Sequence, residues 1–257
     1  MTFDLSILQD IGNYDNIAVL TGAGISAESG IATFRGKDGL WSRFRPEELA
    51  SVQAFLANPE RVWDWYQHRR NVLAEAQPNA GHVALAEWEK AAPQFTLITQ
   101  NVDGLHRLAG SQHVLELHGN IRINRCQMCG LESSDESVTF TRHVPLCKFC
   151  GGMLRPGVVW FGESLPEHEL EEAFRATEYC DLFVTIGTSA QVYPAASLPE
   201  MARARGATVI EVNTEETAFT SLATNHLRGT AGTILPELVA AYRQARELRS
   251  ESESAGE

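Results

Sequence analysis

No apolar run in this sequence approaches the ~20 residues that a membrane-spanning helix requires. The first residues, 1–6, also lack the basic and apolar regions of a secretory signal peptide. We therefore expect a cytoplasmic protein that makes no membrane contact.

Basic residues are scarce as well. The chain has 21 Lys and Arg against 33 Asp and Glu, which gives a formal net charge of −12. Nucleic-acid binding depends on a basic surface that releases counterions from phosphates, so we expect no direct contact with nucleic acid. Residues 246–257 lack apolar periodicity and predict a disordered acidic tail. No pattern indicates a subunit interface, so a monomer is the default expectation.

Cysteine is rare: four of the five cysteines form two Cys-x-x-Cys pairs. Cys126 and Cys129 are separated from Cys147 and Cys150 by seventeen residues, a spacing typical of a tetrahedral zinc site. Four thiolates leave no coordination position for water, so we expect one structural zinc ion. Two disulfides are the alternative, disfavoured because nothing indicates secretion. The remaining Cys180 lies in a context typical of a buried thiol.

Short apolar runs alternate with helical patterns along most of the chain. The predicted strands cover residues 16–21, 94–100, 182–187 and 207–213, and the predicted helices cover 79–91, 167–177 and 195–205. Such alternation predicts an α/β fold with a doubly wound, Rossmann-like parallel sheet. Ligands of these sheets bind at the carboxyl ends of the strands.

Two segments interrupt this alternation. Residues 43–76 are mostly helical and rich in aromatic side chains, and residues 121–156 carry the cysteine pairs. We expect both to be insertions that together form a small helical and zinc-binding domain. The discontinuous Rossmann-like domain then comprises residues 1–42, 77–120 and 157–245.

The first predicted strand ends in a glycine turn over residues 22–27, with glycines at positions 22 and 24. Such glycines let the backbone approach a pyrophosphate, and the following helix N-terminus favours its negative charge. A tight turn without a ligand is the alternative. A dehydrogenase would also carry an acidic residue that ends a second strand about 20 residues later. Residues 30–41 instead form a glycine-rich loop, so we expect a loop-covered dinucleotide and disfavour hydride transfer.

Several further motifs follow the glycine turn in a fixed order. The complete set is Gly22-Ala23-Gly24-Ile25-Ser26, Phe34-Arg35-Gly36, Thr99-Gln100-Asn101-Val102-Asp103-Gly104-Leu105-His106, Leu117-His118-Gly119, the cysteine pairs, Gly187-Thr188-Ser189 and Val212-Asn213-Thr214-Glu215. In this order the set closely resembles the sirtuins, the NAD-dependent protein lysine deacylases. The resemblance covers residues 17–238 and includes the positions that the family uses for catalysis.

The resemblance implies that NAD is consumed and that acylated-lysine proteins are the substrates. In sirtuins the acyl oxygen attacks C1′ of the nicotinamide ribose, nicotinamide leaves, and lysine and O-acyl-ADP-ribose are finally released. His118 matches the general base, and an imidazole suits removal of a ribose hydroxyl proton at neutral pH. Asn101 and Asp103 match the residues that hold the nicotinamide carboxamide. A structural histidine and ordinary Asx turns are the alternatives.

The same resemblance assigns the other ligand contacts. Arg35 is expected at a phosphate, Phe34 at C1′ and Gln100 at the ribose. The full set expected to bind NAD is Gly22, Ala23, Gly24, Ser26, Glu28, Phe34, Arg35, Trp41, Gln100, Asn101, Val102, Asp103, Gly187, Thr188, Ser189, Asn213, Thr214, Glu215 and Ala231. Val159 and Phe161 lie in a segment that resembles the place where the substrate peptide adds as a β-strand.

Tyr66 and Arg69 are three residues apart in the aromatic-rich insertion, so they share a helix face. A hydroxyl and a guanidinium together can bind a carboxylate, and the pair resembles the sirtuin subclass that removes succinyl and malonyl groups. We therefore expect activity on acetyl and also on succinyl or malonyl groups. The alternative is a surface ion pair for Arg69 and simple packing for Tyr66.

Three other functions remain as alternatives to the deacylase. A mono-ADP-ribosyltransferase would use the same NAD site, a zinc-ribbon module would bind a partner without catalysis, and a dehydrogenase would reduce its cofactor.

Overall fold

The computed structural model describes residues 10–35, 39–42, 45–134 and 143–255. Nine strands occur in this part of the chain: β1 (Asn16–Thr21), β2 (Gln94–Thr99), β3 (Val114–Glu116), β4 (Gly119–Cys126), β5 (Glu132–Ser133), β6 (Leu154–Val158), β7 (Leu182–Ile186), β8 (Thr208–Asn213) and β9 (Asn225–Arg228). The α-helices are α1 (Pro46–Leu49), α2 (Val52–Ala57), α3 (Pro59–Glu75), α4 (Ala80–Ala91), α5 (Leu105–Leu108), α6 (Glu167–Tyr179), α7 (Leu198–Ala204) and α8 (Ala231–Ala255). Within these ranges, no helix is long and apolar enough to cross a bilayer.

Six strands form a parallel sheet in the order β3-β2-β1-β7-β8-β9. From β1 the chain first builds outward through β2 and β3, and it then returns to the other side of β1 at β7. Because the direction of building reverses at β1, the carboxyl ends of β2, β1 and β7 border the crevice where such sheets bind ligands. The predicted doubly wound α/β fold is confirmed.

The central strand β1 is buried on both faces. Val19 packs in a cluster with Trp88 of α4 and Leu238 of α8. The next residue, Leu20, packs on the opposite side with Ala173 of α6. Since successive side chains of a strand point to opposite faces, a strand covered by helices on both sides needs an unbroken apolar sequence.

The remaining strands build a small antiparallel sheet, in which β4 lies between β5 and β6. The helical insertion packs against it. The indole of Trp63 donates to the Leu154 carbonyl oxygen at 2.7 Å, and Arg70 of α3 donates to the Ile121 carbonyl oxygen at 2.7 Å. These bonds hold α3 on β4 and β6, so the two insertions pack together.

Two sequence expectations need correction. A disordered tail over residues 246–257 is wrong as far as Ala255, because α8 continues to that residue. Its last turns are rich in residues that favour helix, and Arg246 forms an ion pair with Asp15 that fixes α8 on the body. The glycine turn, in addition, leads into the short 3-10 helix Ala23–Ser29 and not into an α-helix. Other 3-10 turns cover Ile11–Asn13, Leu40–Ser42 and Ala195–Ser197.

Candidate active site

A cavity of about 850 Å³ opens at the carboxyl edge of the parallel sheet, next to the small antiparallel sheet. Most residues expected at the site line it: Gly22, Ala23, Gly24, Phe34, Arg35, Tyr66, Arg69, Gln100, Asn101, Val102, His118, Val159, Phe161, Gly187, Thr188, Ser189, Asn213, Thr214 and Glu215. The fold thus gathers the separate motifs around one space.

The glycine turn is held against the loop that follows β7. The amide of Gly22 donates to the Ile186 carbonyl oxygen at 2.9 Å, and the amide of Gly24 donates to the Gly187 carbonyl oxygen at 2.8 Å. A Cβ atom on Gly24 would lie only 2.6 Å from the Gly187 Cα atom. The two loops therefore meet at glycine residues beside the cavity, which suits the close approach of a pyrophosphate.

Asn101 and Asp103 follow β2 and are buried, with 4% and 5% of their surface exposed. The side-chain amide of Asn101 donates to the Gly22 carbonyl oxygen at 3.0 Å. The Asp103 carboxylate accepts from the Ser26 hydroxyl at 2.8 Å and from the Leu105 amide at 2.9 Å. Asn101 lines the cavity and Asp103 does not, so Asn101 can touch a ligand while Asp103 fixes the turn behind it.

His118 lines the cavity and has one defined hydrogen-bond partner. Its Nδ1 atom lies 3.0 Å from the Gln100 carbonyl oxygen. Because a carbonyl oxygen can only accept, Nδ1 carries the proton and Nε2 keeps a lone pair. Burial lowers the pKa of His118, and the bond to Gln100 offsets part of that effect. The ring is therefore neutral at pH 7.

The ends of β2, β7 and β8 are tied together beside His118. The side-chain amide of Gln100 donates to the Thr188 hydroxyl at 3.0 Å, and that of Asn213 donates to the Thr188 carbonyl oxygen at 3.0 Å. Arg35 reaches the Ser189 hydroxyl at 3.5 Å. One cation and several hydroxyl and amide groups here offer the donors that phosphates and ribose require.

Some expected cofactor residues lie behind the cavity wall. Ser26, Glu28 and Ala231 do not line the space. The Glu28 carboxylate accepts from the Gly232 amide at 2.7 Å and so anchors the start of α8. The side chain of Trp41 lies outside the part of the chain that the structure describes.

The part of the cavity near Arg69 is lined by aromatic rings around this cation. The Arg69 guanidinium carbon lies 4.9 Å from the ring centre of Trp65 and 5.0 Å from that of Phe34. Tyr66 is 2% exposed, and its hydroxyl accepts from the Trp160 indole at 2.8 Å. Burial raises the pKa of Tyr66 to about 12, against the opposing charge of Arg69. The phenol therefore stays protonated and can donate a hydrogen bond.

The segment after β6 carries the residues expected to meet a peptide. The Val159 amide donates to the His118 carbonyl oxygen at 2.9 Å, and the Phe161 amide donates to the Ala50 carbonyl oxygen at 2.9 Å. Both amides are thus already bonded within the chain. A substrate strand would have to pair with other backbone groups of this segment.

The four cysteines converge as the spacing predicts. Their sulfur atoms all lie within 4.8 Å of one another; Cys126 and Cys150 are separated by 3.4 Å, and Cys129 and Cys147 by 3.9 Å. A tetrahedral zinc ion with Zn–S bonds of about 2.3 Å needs sulfur separations of about 3.8 Å. The cluster fits a closed structural zinc site.

Buried polar residues support the cavity, and the sequence did not reveal their role: Thr99 and His106 lie in a motif without an assigned function, and Thr21 and Arg155 lie in no motif. Thr21, Thr99 and His106 lie beneath its floor, and Arg155 lies beneath its small-domain wall with 1% of its surface exposed. Arg155 pairs with Glu163 at 2.8 Å. No sequence pattern separates such residues from exposed ones, because their burial depends on long-range packing.

The fold and the cavity define an α/β protein built to bind a dinucleotide beside a neutral imidazole. Residues 22–194 match the model of the Sir2 family. The chain belongs to this family, and the resemblance to the sirtuins is confirmed.

Relatives of known name cover nearly the whole chain. It is 55% identical over 223 residues to an NAD-dependent protein deacylase of Aquifex aeolicus, and these residues cover 87% of this chain and 93% of that protein. It is 50% identical over 242 residues to NAD-dependent protein deacylase 1 of Archaeoglobus fulgidus, with coverage of 94% and 99%.

Solved structures share the fold. A complex of a Sir2 homologue with NAD has a TM-score of 0.90 at 50% identity and covers 95% of this chain and 96% of its own. A complex of Sir2 with a p53 peptide and NAD+ has a TM-score of 0.83 at 33% identity, with coverage of 93% and 98%.

Proposed function

We propose that this protein is an NAD-dependent protein lysine deacylase that releases nicotinamide and O-acyl-ADP-ribose. The observation that supports this most directly is the neutral His118, which lines the cavity beside the glycine turn. The names of the similar bacterial and archaeal proteins agree with this activity. A closed site of four thiolates has no open position for a reactant, so the zinc ion takes a structural role.

The side chains of this chain divide the work. Nε2 of His118 accepts a proton from a ribose hydroxyl, and the bond from Nδ1 to the Gln100 carbonyl oxygen orients the ring. Asn101 presents its carboxamide, fixed by the bond to Gly22, to the carboxamide of nicotinamide. Arg35 and Ser189 face the phosphates.

We further propose that acyl groups ending in a carboxylate, such as succinyl and malonyl, are removed as well as acetyl. Arg69 supports this proposal, because its guanidinium packs among aromatic rings and burial lowers its pKa. Within the described ranges no ion pair involves Arg69. A partly desolvated cation gains a strong bond from a carboxylate that reaches it, and the protonated Tyr66 hydroxyl can add a second.

A direct test of the proposed function measures the products formed from NAD and from the peptide in the same reaction. An acetyl-lysine and a succinyl-lysine peptide are each incubated with and without NAD, and all products are weighed by mass spectrometry. His118→Asn removes the proposed base, and His113→Asn is the matched control, since His113 is an exposed histidine paired with Glu89.

The deacylase predicts NAD-dependent loss of acyl groups with O-acyl-ADP-ribose formed by the wild type and by His113→Asn, but not by His118→Asn. Intact peptides beside ADP-ribosylated protein would favour the mono-ADP-ribosyltransferase. If the wild-type protein consumes no NAD, the deacylase proposal is wrong and the zinc-ribbon module that binds a partner without catalysis is favoured.

A further inference from the structure

Buried hydroxyl groups connect the carboxyl ends of β1 and β2. Thr21 and Thr99 are the last residues of these strands and are partners in register. The Thr21 hydroxyl donates to the Thr99 hydroxyl at 2.8 Å, and the backbone amide of Asn101 donates to the same Thr99 oxygen at 3.0 Å. Both threonines are buried, with 0% and 2% of their surface exposed. The backbone of Asn101 is therefore held by a side chain of β2.

His106 continues this chain of bonds from α5. Its Nε2 atom lies 2.8 Å from the Thr21 hydroxyl oxygen. Because Thr21 gives its own proton to Thr99, its oxygen must accept here, and Nε2 must carry the imidazole proton. Burial lowers the pKa of His106 well below its usual value, with a smaller contribution from His82. The ring is thus neutral and fixed in one tautomer.

The other ring nitrogen of His106 shows that this arrangement costs stability. In this tautomer Nδ1 is an acceptor, and it is buried without a hydrogen-bond partner in the described part of the chain. The ring centre of His82 lies 4.9 Å away. An apolar side chain would avoid the loss that comes with an unsatisfied buried acceptor. The imidazole instead donates one hydrogen bond to the Thr21 hydroxyl, which is connected to Asn101 through Thr99.

We infer that Thr99 is a positioning residue for Asn101 and that Thr21 and His106 hold Thr99 in the required orientation. His106 orients the Thr21 hydroxyl, which then donates to Thr99. The Thr99 oxygen in turn fixes the Asn101 backbone amide, while the Gly22 carbonyl oxygen and the Ser26 hydroxyl both accept from the Asn101 side-chain amide. Asn101 is therefore held at its backbone and at its side chain. This inference rests on the proposed function, in which Asn101 meets the nicotinamide carboxamide.

The hydroxyl can be removed almost without a change of shape. Thr99→Val replaces the oxygen by a methyl group, and Thr99→Ser, the matched control, keeps the oxygen. Nicotinamide release gives kcat and KM for NAD, and calorimetry gives the Kd of ADP-ribose, which lacks the nicotinamide. We expect Thr99→Val to lower kcat about ten-fold and to leave the Kd of ADP-ribose within about two-fold, since only the nicotinamide end loses alignment. Thr99→Ser should restore most of kcat.

Two results would overturn the inference. One is wild-type kcat in Thr99→Val. The other is a parallel loss of ADP-ribose affinity, which would indicate that Thr99 is merely structural.

If Thr99→Val does not fold, a His106 pair decides the question. His106→Gln keeps an N–H donor near the position of Nε2, and His106→Leu removes it. We expect the same split between kcat and ADP-ribose affinity in His106→Leu alone, and equal kcat values in the two variants would contradict the inference. The proposed function is tested separately, because a wild-type protein that does not remove acyl groups would refute it. Nicotinamide release would still report on Thr99 in that case, provided that ADP-ribose is transferred to another acceptor.

Discussion

The imidazole of His118 can act as a base only while it is neutral. Its pKa is lowered by burial below the ordinary value of 6.5, so the base is lost only as the pH falls through that depressed value. We expect kcat/KM for NAD, which reports the free enzyme, to stay level around neutral pH and to decline on the acid side of pH 6.5. Nicotinamide release at NAD concentrations below KM, measured across pH, checks this. An acid limb centred at or above the ordinary value would show that burial does not control the group.

The charge of Arg69 is expected to matter for one acyl class and not for the other. Arg69→Met should lower kcat/KM for a succinyl peptide at least ~10-fold, because a hydrogen bond between charged groups contributes about 1.5–3 kcal/mol. An acetyl group carries no carboxylate, so its kcat/KM should change less than ~3-fold. Arg61→Met is the control, since Arg61 lies on the same helix but pairs with Glu48 at the surface. Desuccinylation that survives Arg69→Met would refute the assignment.

At the scale of elements, the contact between the glycine turn and the β7 loop is too close for any side chain. Gly24→Ala would place Cβ 2.6 Å from the Gly187 Cα atom, so the two loops must separate. We expect loss of measurable NAD binding together with a lower Tm. Gly206→Ala is a useful control: its positive φ of 92° strains any side chain, but the space around it is open. That variant should lose stability and keep its NAD affinity, and equal NAD affinity in both variants would argue against the turn as the pyrophosphate site.

The strands that the sequence predicts well are those whose two faces are both buried. β1, β2, β7 and β8 are covered on both faces and therefore carry unbroken apolar runs. β3 and β9 are edge strands of three and four residues, and the sequence of β9, Asn-His-Leu-Arg, lacks an apolar run. Their strand form depends on neighbours that the local sequence does not reveal.

Some residues of the candidate site could likewise be predicted from the sequence, and others could not. Glycine turns and polar residues at strand ends are visible as motifs, so Asn101, His118 and Thr188 could be placed in advance. His106 also lies in a motif, but neither its partners nor the burial of Arg155 could be predicted, because a buried histidine or arginine has the same local sequence signature as an exposed one. Their function follows only from partners distant in the chain, such as Thr21 for His106.

Over the whole molecule, one strand connects the zinc site to the candidate active site. β4 starts at Gly119, directly after His118, and ends at Cys126. Its neighbour β6 ends at Val158, and the next residue, Val159, binds the His118 carbonyl oxygen. Because β4 and β6 pair at both ends, with a bulge between Asn120 and Asn124, disorder at the cysteine end is expected to remove support from the histidine end.

Removal of zinc is therefore expected to impair catalysis indirectly. A structural zinc ion contributes folding free energy to the segment that binds it, so a chelator should lower Tm and raise KM for the peptide as β4 and β6 loosen. Cys129→Ser, at an exposed ligand, should reproduce this, whereas Cys180→Ser changes a cysteine outside the cluster and should keep its zinc. Zinc content, Tm and peptide KM are measured on the same samples, and added zinc should restore the chelated wild type. A zinc-free protein with unchanged Tm and unchanged KM would show that β4 and β6 keep their order without the ion, and the proposed coupling between the two sites would be wrong.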